Sequence, residues 1–275
     1  MTAVVLALGS AALFGLMTVR IRIALGGGAD AAIATFATVL PALAVVLVAA
    51  SIQHDPHGAW PFLLTGLLGP GLSQILFTLA IRDIGASRTS VAVGCAPLAS
   101  VAIAVVFFGE SLTAPLFVGA VSIVCGGVVL AFERGRPEHL RARGLAYAAA
   151  AALVFSTRDN IVRALHAHAG PQTAAAATLL AGAAAAALWA RRLPSREVLA
   201  AFALPGILFG LSYICLFEAY WRAPVTVVSP LIATESLFGV LFAALLLKRT
   251  ERVGAKLAVG ALLVVVGGVL IGVYR

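Results

Sequence analysis

Four polar side chains interrupt long apolar stretches of this sequence, where few polar groups occur. Glu235 stands alone in the middle of the stretch 223–247, while Arg158, Asp159 and Asn160 lie together inside another. A charged side chain inside a membrane span costs about 2.5 kcal/mol or more, so it usually faces a cavity or a partner. An acid in such a place can exchange a proton or bind an ammonium group, and an arginine can bind a carboxylate.

Structural roles are the alternative for these groups, and the sequence leaves both interpretations open. Asp159 and Arg163 are four residues apart and can pair along a helix, as can Glu218 and Arg222. Glu235 can instead be a neutral group that hydrogen-bonds to a neighbouring helix. Arg158 has no acidic residue three or four positions away, which favours a place beside a substrate carboxylate.

Aromatic rings accompany the polar residues at helical spacing. Phe155 lies three residues before Arg158, and Phe238 lies three residues after Glu235, so each shares a helix face with its polar neighbour. Pro230 precedes Glu235 by five residues and predicts a bend or opening toward a polar cavity. The candidate substrate-binding residues are Glu235, Arg158, Asp159, Asn160, Phe155, Phe14, Tyr213 and Phe238.

The composition requires a membrane to surround these residues. The chain of 275 residues is 62% apolar and 11% charged, whereas soluble domains are about 45–50% apolar and about 25% charged. Stretches of about 20 apolar residues cross a bilayer as helices, which satisfy all backbone hydrogen bonds internally. We predict ten transmembrane helices near residues 2–19, 31–52, 60–81, 89–109, 111–132, 144–165, 172–190, 198–221, 223–247 and 253–273.

The two halves of the chain repeat each other. A shift of 141 residues lays Phe14 on Phe155 and Arg22 on Arg163, and an offset of 139 lays Ser90 on Ser229. The glycines of the fifth and tenth spans also coincide, and we interpret them as packing contacts. Because each copy holds five spans, the copies enter the membrane from opposite sides as an inverted repeat, an architecture typical of transporters.

Both copies end in a pattern that resembles the EamA repeat of the drug/metabolite transporter superfamily. The first copy has Pro97, Glu110, Gly119 and Gly126-Gly127, and the second has Glu251, Gly260 and Gly267-Gly268, with Ser236 in place of the proline. The resemblance implies an all-α integral membrane protein with ten transmembrane helices in two inverted five-helix EamA repeats. We expect the repeats to cover residues 1–133 and 142–275 within one integrated membrane domain.

The resemblance also implies a secondary transporter that exports small metabolites by alternating access. Amino acids or similar zwitterions, aromatic ones included, are the expected substrates. A membrane-embedded enzyme and an exchanger of another substrate class are the alternatives, but the chain lacks a His-Glu-x-x-His motif and a Gly-x-Ser-x-Gly motif. The expectation is therefore a protein that is not an enzyme.

The expected partners follow from charge and composition. The net charge of +8 comes from basic residues at span ends, which fits anionic lipid headgroups better than nucleic acid. All five histidines lie in connections or at span ends, so we expect no metal site and no cofactor. A homodimer remains an open alternative, and the bacterial inner (plasma) membrane is the expected location.

The orientation in the membrane is the first testable prediction. Fifteen of the 19 Lys and Arg residues lie in the odd-numbered connections, which the positive-inside rule assigns to the cytoplasm. Both termini are then periplasmic, so a green fluorescent protein fused to the C-terminus should stay dark. Cytoplasmic fluorescence of that fusion would contradict the orientation. The basic residues counted are Arg20, Arg22, Arg82, Arg88, Arg134, Arg136, Arg141, Arg143, Arg191, Arg192, Arg196, Lys248, Arg249, Arg252 and Lys256.

Overall fold

The computed structural model describes residues 1–53, 58–94, 96–131 and 142–246, together with residues 259–260, 262–263, 266–267, 270 and 273–274. The regular structure of these residues is helical, without strands. The helices are α1 (Thr2–Leu25), α2 (Ala31–Gln53), α3 (Trp60–Gly66), α4 (Ser73–Ile84), α5 (Ala86–Val93), α6 (Ala96–Phe108), α7 (Ala114–Ala131), α8 (Ala142–Ala164), α9 (Pro171–Ala190), α10 (Arg196–Arg222), α11 (Val225–Ile232) and α12 (Glu235–Leu246).

Six helical stretches are long and apolar enough to cross a bilayer, which makes the chain a multi-pass integral membrane protein. Two further apolar helices, Leu98–Phe108 and Ala114–Gly126, are shorter. Helix α8 is as long as the six, but Arg158, Asp159 and Asn160 reduce its apolar character. The number of ten spans stays a prediction, because the predicted tenth span falls largely outside the described residues. The six stretches are Thr2–Leu25, Ala31–Gln53, Trp60–Ile84, Pro171–Ala190, Arg196–Arg222 and Val225–Leu246.

Three predicted spans are interrupted rather than continuous. In one span a π-helical segment, Leu67–Leu72, joins α3 to α4 and contains Pro70. The other two spans are each divided into two helices, α5 and α6 in one and α11 and α12 in the other. Prolines lie inside or close to each interruption, and a proline removes a helical hydrogen bond. An interruption lies close to Pro230, since α11 ends at Ile232 and α12 begins at Glu235.

Helices of the two halves of the chain pack against each other. Helix α1 of the first half lies against α10 and α12 of the second, and α8 of the second half lies against α4 and α6 of the first. The repeat relates α1 to α8 and α4 to α10. The contact between α1 and α10 is therefore equivalent to the contact between α8 and α4. The centre of the molecule is therefore built by both halves.

Glycines allow these helices to approach closely. A Cβ atom on Gly210 of α10 would lie 2.8 Å from the carbonyl oxygen of Ala42 on α2. A Cβ atom on Gly267 would lie 2.5 Å from the carbonyl oxygen of Gly119 on α7. The second contact joins two glycines of the repeated pattern, as the packing interpretation of that pattern predicts. Helix association in membranes depends on such packing, because lipid is as apolar as the side chains.

Glu110 ties the two halves together at a helix end. Its carboxylate accepts hydrogen bonds from the backbone N–H groups of Val225, at 3.0 Å, and Thr226, at 2.9 Å. These are among the first N–H groups of α11, which have no partner within the helix. The acid of the connection between α6 and α7 thus caps a helix of the other half, where the helix dipole favours a negative charge.

The contact between α1 and α12 gives a prediction about stability. A Cβ atom on Gly15 would lie 2.7 Å from the backbone nitrogen of Gly239 and 2.9 Å from the Cβ atom of Phe238. Replacing Gly15 with Ala should therefore lower the free energy of unfolding by about 1–3 kcal/mol, as overpacking does. Thermal unfolding in detergent measures the loss.

Gly9 in the same helix provides the matched control for this substitution. A Cβ atom on Gly9 meets no atom within 4 Å, so Gly9→Ala adds a methyl group in open space. That variant should unfold at the wild-type temperature or slightly above it, because alanine favours the helix. Equal unfolding temperatures for the two variants would contradict the close contact between α1 and α12.

Candidate functional site

A cavity lies in the middle of the bundle, beside the α5–α6 and α11–α12 interruptions. Its walls come from α1, α8 and α10 and from the junctions of α5 with α6 and of α11 with α12. An offset of 139 residues lays Gly94 at the end of α5 on Ala233 at the end of α11, so the junctions occupy equivalent positions of the repeat. Six of the eight candidate residues line it: Phe14, Phe155, Arg158, Asp159, Tyr213 and Glu235.

Arg158 is the positive charge of the cavity and is almost fully buried, with 3% of its surface exposed. Its Nη2 atom lies 2.9 Å from Oδ1 of Asp159, and its Nη1 atom donates a hydrogen bond of 2.9 Å to the hydroxyl of Tyr213. The guanidinium also lies 5.6 Å from the ring centre of Phe155 and 5.3 Å from that of Tyr213. These rings add cation–π attraction to a buried guanidinium.

The pairing of the acids differs in part from the alternatives that the sequence allowed. Asp159 pairs with its neighbour Arg158, whereas Arg163 donates a hydrogen bond of 2.6 Å to the backbone carbonyl of Tyr220. The pair of Glu218 with Arg222 forms as its spacing predicts. A rule of helical spacing considers pairs three or four residues apart and therefore does not predict this pair of neighbours.

A tyrosine of another helix faces Asp159. The hydroxyl of Tyr220 on α10 faces the carboxylate of Asp159 and the hydroxyl of Ser229 on α11. Tyr220 is fully buried, and Ser229 lines the cavity. Asp159 therefore pairs with an arginine of its own helix and faces a tyrosine hydroxyl of another helix.

Glu235 is placed differently from the paired charges. It is buried in the first turn of α12, and its carboxylate forms no hydrogen bond with the described residues. It faces Arg158 and Asp159 across the cavity. The hydroxyls beside it donate to the backbone instead: Thr234 to the carbonyl of Leu231 and Ser236 to the carbonyl of Ala233. These bonds satisfy carbonyl groups at the end of α11 and leave Glu235 as the polar side chain of this junction that enters the cavity.

Aromatic rings form one wall of the site. The ring centre of Phe14 lies 6.2 Å from that of Phe155 and 5.2 Å from that of Phe77 on α4. Phe155 and Phe77 are 6.0 Å apart, so three helices contribute to one cluster. Edge-to-face pairs of this kind hold aromatic side chains in place and leave flat apolar surfaces beside the charged groups.

The cavity is small in this conformation. The centres of water molecules can occupy about 40 Å³, which is room for about three waters. Its ionisable groups are one arginine, two acids and a tyrosine, so both acids in ionised form leave an excess of one negative charge. The arrangement can bind a cation or a proton at Glu235, and a larger guest requires the surrounding helices to move apart.

Two candidate residues lie away from the cavity lining. Asn160 is buried, and its amide donates hydrogen bonds to the backbone carbonyls of Ser100, at 3.0 Å, and Ser156, at 2.9 Å. These bonds join α8 to α6. Phe238 stacks against Phe242 at 6.2 Å and packs beside α1. Both residues lie on the helices that form the site, but their described contacts are with the scaffold.

Sequence reasoning missed three serines that line the cavity, namely Ser10, Ser212 and Ser229. The hydroxyls of Ser10 and Ser212 lie 2.9 Å apart and join α1 to α10. The repeat contains a signal that identifies two of them, since the offset of 139 lays Ser73 on Ser212 as it lays Ser90 on Ser229. Within the described residues, no three His, Cys, Asp or Glu side chains form a group that could hold a metal ion.

Comparison with known proteins identifies the two halves. The model of the EamA-like transporter family matches residues 1–132 and again residues 142–273. No curated protein sequence matches the chain. A solved structure described as the crystal structure of a protein has a TM-score of 0.78 and 21% sequence identity, and the match covers 99% of this chain and 96% of that one. At this identity the likeness concerns the fold alone.

The buried ion pair gives a prediction that a double-mutant series can test. Arg158→Met leaves Asp159 and Glu235 in the cavity without a cation, and should reduce the free energy of unfolding by about 3–5 kcal/mol. Adding Asp159→Asn to this variant removes one uncompensated acid and should restore most of the loss. Thermal unfolding of the purified variants measures both effects. An Arg158→Met variant as stable as wild type would show that the pair contributes nothing to stability.

Proposed function

Because the chain belongs to the EamA-like transporter family of the drug/metabolite transporter superfamily, we propose that it exports small metabolites that carry an ammonium group. Amino acids, aromatic ones included, are the class that the sequence favours. Export proceeds by alternating access, in which the central cavity opens to one side of the membrane at a time. The proposed location is the bacterial inner membrane, with both termini in the periplasm.

The observation that supports this proposal is the placement of Glu235, which lines the cavity and is buried without a hydrogen-bond partner among the described residues. A buried carboxylate without a hydrogen-bond partner has room for a ligand that supplies a positive charge and N–H donors. An ammonium group supplies both, and charge-assisted hydrogen bonds are stronger than neutral ones. The rings of Phe14, Phe155 and Tyr213 offer apolar surface to the body of the same ligand.

Exchange of a proton for the substrate at Glu235 provides a means of coupling. Burial disfavours the charged form of an acid, so an empty Glu235 that meets a proton takes it up. The protonated acid does not attract an ammonium group, and the substrate leaves. Proton binding and substrate binding are therefore competitive, and a proton gradient can drive export.

The two junctions between helices offer the movement that such a cycle needs. Interrupted helices in equivalent positions of two repeats are a recurrent feature of transporter substrate sites. Here the α5–α6 junction and the α11–α12 junction both line the cavity, through Val93 and Ala96 in one and Ala233 and Glu235 in the other. A small rotation at either junction changes which side of the cavity is closed.

The test of this function is the pH dependence of transport by a Glu235→Gln variant. The charged or titratable groups that face Glu235 are Arg158 and Asp159 of α8 and Tyr213 of α10. In wild type, counterflow of the metabolite found in an export screen should fall as pH falls, because protonation of Glu235 removes the site for the ammonium group. The variant should lose about tenfold or more in rate and the pH response with it.

Glu197→Gln provides the control, because Glu197 is exposed at the start of α10 and lies away from the cavity. It makes the same chemical change and should leave the counterflow rate and its pH response unaltered. A folded Glu235→Gln variant with the wild-type rate and pH response would contradict the pathway role and leave Glu235 as a structural group.

A further inference from the structure

Groups of the chain itself contact both terminal nitrogens of Arg158, while its Nε atom has no hydrogen-bond partner among the described residues. One terminal nitrogen of the guanidinium lies 2.9 Å from the carboxylate of Asp159, and the other donates to the hydroxyl of Tyr213. The rings of Phe155 and Tyr213 lie beside the guanidinium. A substrate carboxylate that approaches Arg158 therefore meets a guanidinium whose charge the carboxylate of Asp159 already compensates.

The charge balance of the cavity points in the same direction. Arg158 and Asp159 compensate each other, which leaves Glu235 as the charge without a counter-ion when it is ionised. A guest with a single positive charge makes the buried site neutral. A zwitterionic amino acid brings a carboxylate as well and leaves one negative charge uncompensated, which is costly in an apolar interior.

We propose, resting on the proposed transport function, that Asp159 is a specificity-determining residue that takes the place of a substrate carboxylate on Arg158. The site then selects organic amines, which carry an ammonium group and no carboxylate, over the corresponding amino acids. This selection uses repulsion of the unwanted group as well as attraction of the wanted one, as specific sites commonly do.

The surroundings of Asp159 keep it in this position. Its helix α8 packs against α4 and α6, and the hydroxyl of Tyr220 faces its carboxylate from α10. Release of Arg158 to a substrate carboxylate would leave Asp159 buried without a counter-ion. The walls of Phe14 and Phe155 fit an apolar or aromatic body on the amine.

Phenethylamine and phenylalanine form a matched pair of probes, because they differ by the carboxylate alone. Binding of each to the full-length protein in detergent is measured by ligand-induced stabilisation against heat, which depends on concentration and dissociation constant. Wild type should bind phenethylamine at least about tenfold more tightly than phenylalanine, and Asp159→Asn should shift this ratio by about tenfold or more toward phenylalanine. The ratio in wild type tests the inference even if the variant is unstable.

Asp83→Asn is the matched control for this substitution. Asp83 is a buried acid near the end of α4 that pairs with Arg82 and Arg143, and it lies away from the cavity lining. Its replacement should leave the ratio of the two affinities at the wild-type value. An equal shift of the ratio in both variants would overturn the assignment of specificity to Asp159.

The remaining outcomes separate the inference from the transport function. Tighter binding of phenylalanine than of phenethylamine by wild type would overturn the role of Asp159 and leave the proposed export of ammonium-bearing metabolites intact. Failure of both compounds to stabilise wild type would contradict the ammonium site itself, and the inference with it. Preference for the amine in wild type, lost in Asp159→Asn and kept in Asp83→Asn, supports the proposal.

Discussion

The centre of the helix bundle excludes bulk water, so charges buried there depend on compensation from the chain itself. Arg158 meets this requirement through Asp159 and the hydroxyl of Tyr213, which contact its two terminal nitrogens, and through the ring of Phe155 on one face. These contacts connect α8 to α10.

The scaffold around this centre follows from the same lack of water. Since apolar side chains gain nothing by leaving lipid, the helices associate through close contacts at small residues, such as Gly15 with Gly239 and Gly119 with Gly267. Free backbone groups at helix ends need partners too, and Glu110 supplies them to α11. Each of these contacts joins one half of the chain to the other, so neither half contains the site alone.

Several residues of the candidate site could be identified from the sequence, because a charged residue within an apolar stretch costs free energy in the membrane and is therefore conspicuous. Glu235, Arg158 and Asp159 stood out for that reason, and Phe155 followed from its helical spacing to Arg158. Asn160, an equally conspicuous polar residue, lies outside the cavity lining, and its amide joins α8 to α6. The same reasoning overlooked the cavity serines, because a serine in a membrane helix can satisfy its hydroxyl on its own backbone and carries no signal of cost.

The sequence by itself determined the membrane environment, the helical class, the repeat and the few charges that need an explanation, because these depend on composition, length and periodicity along one chain. Only the tertiary structure decided which charges meet. The spacing allowed Asp159 to pair with Arg163, but Tyr213 on α10 and the carbonyl of Tyr220 attract the two arginines to different partners. Pairing depends on side chains from helices distant in sequence, and their approach is a property of the packed bundle.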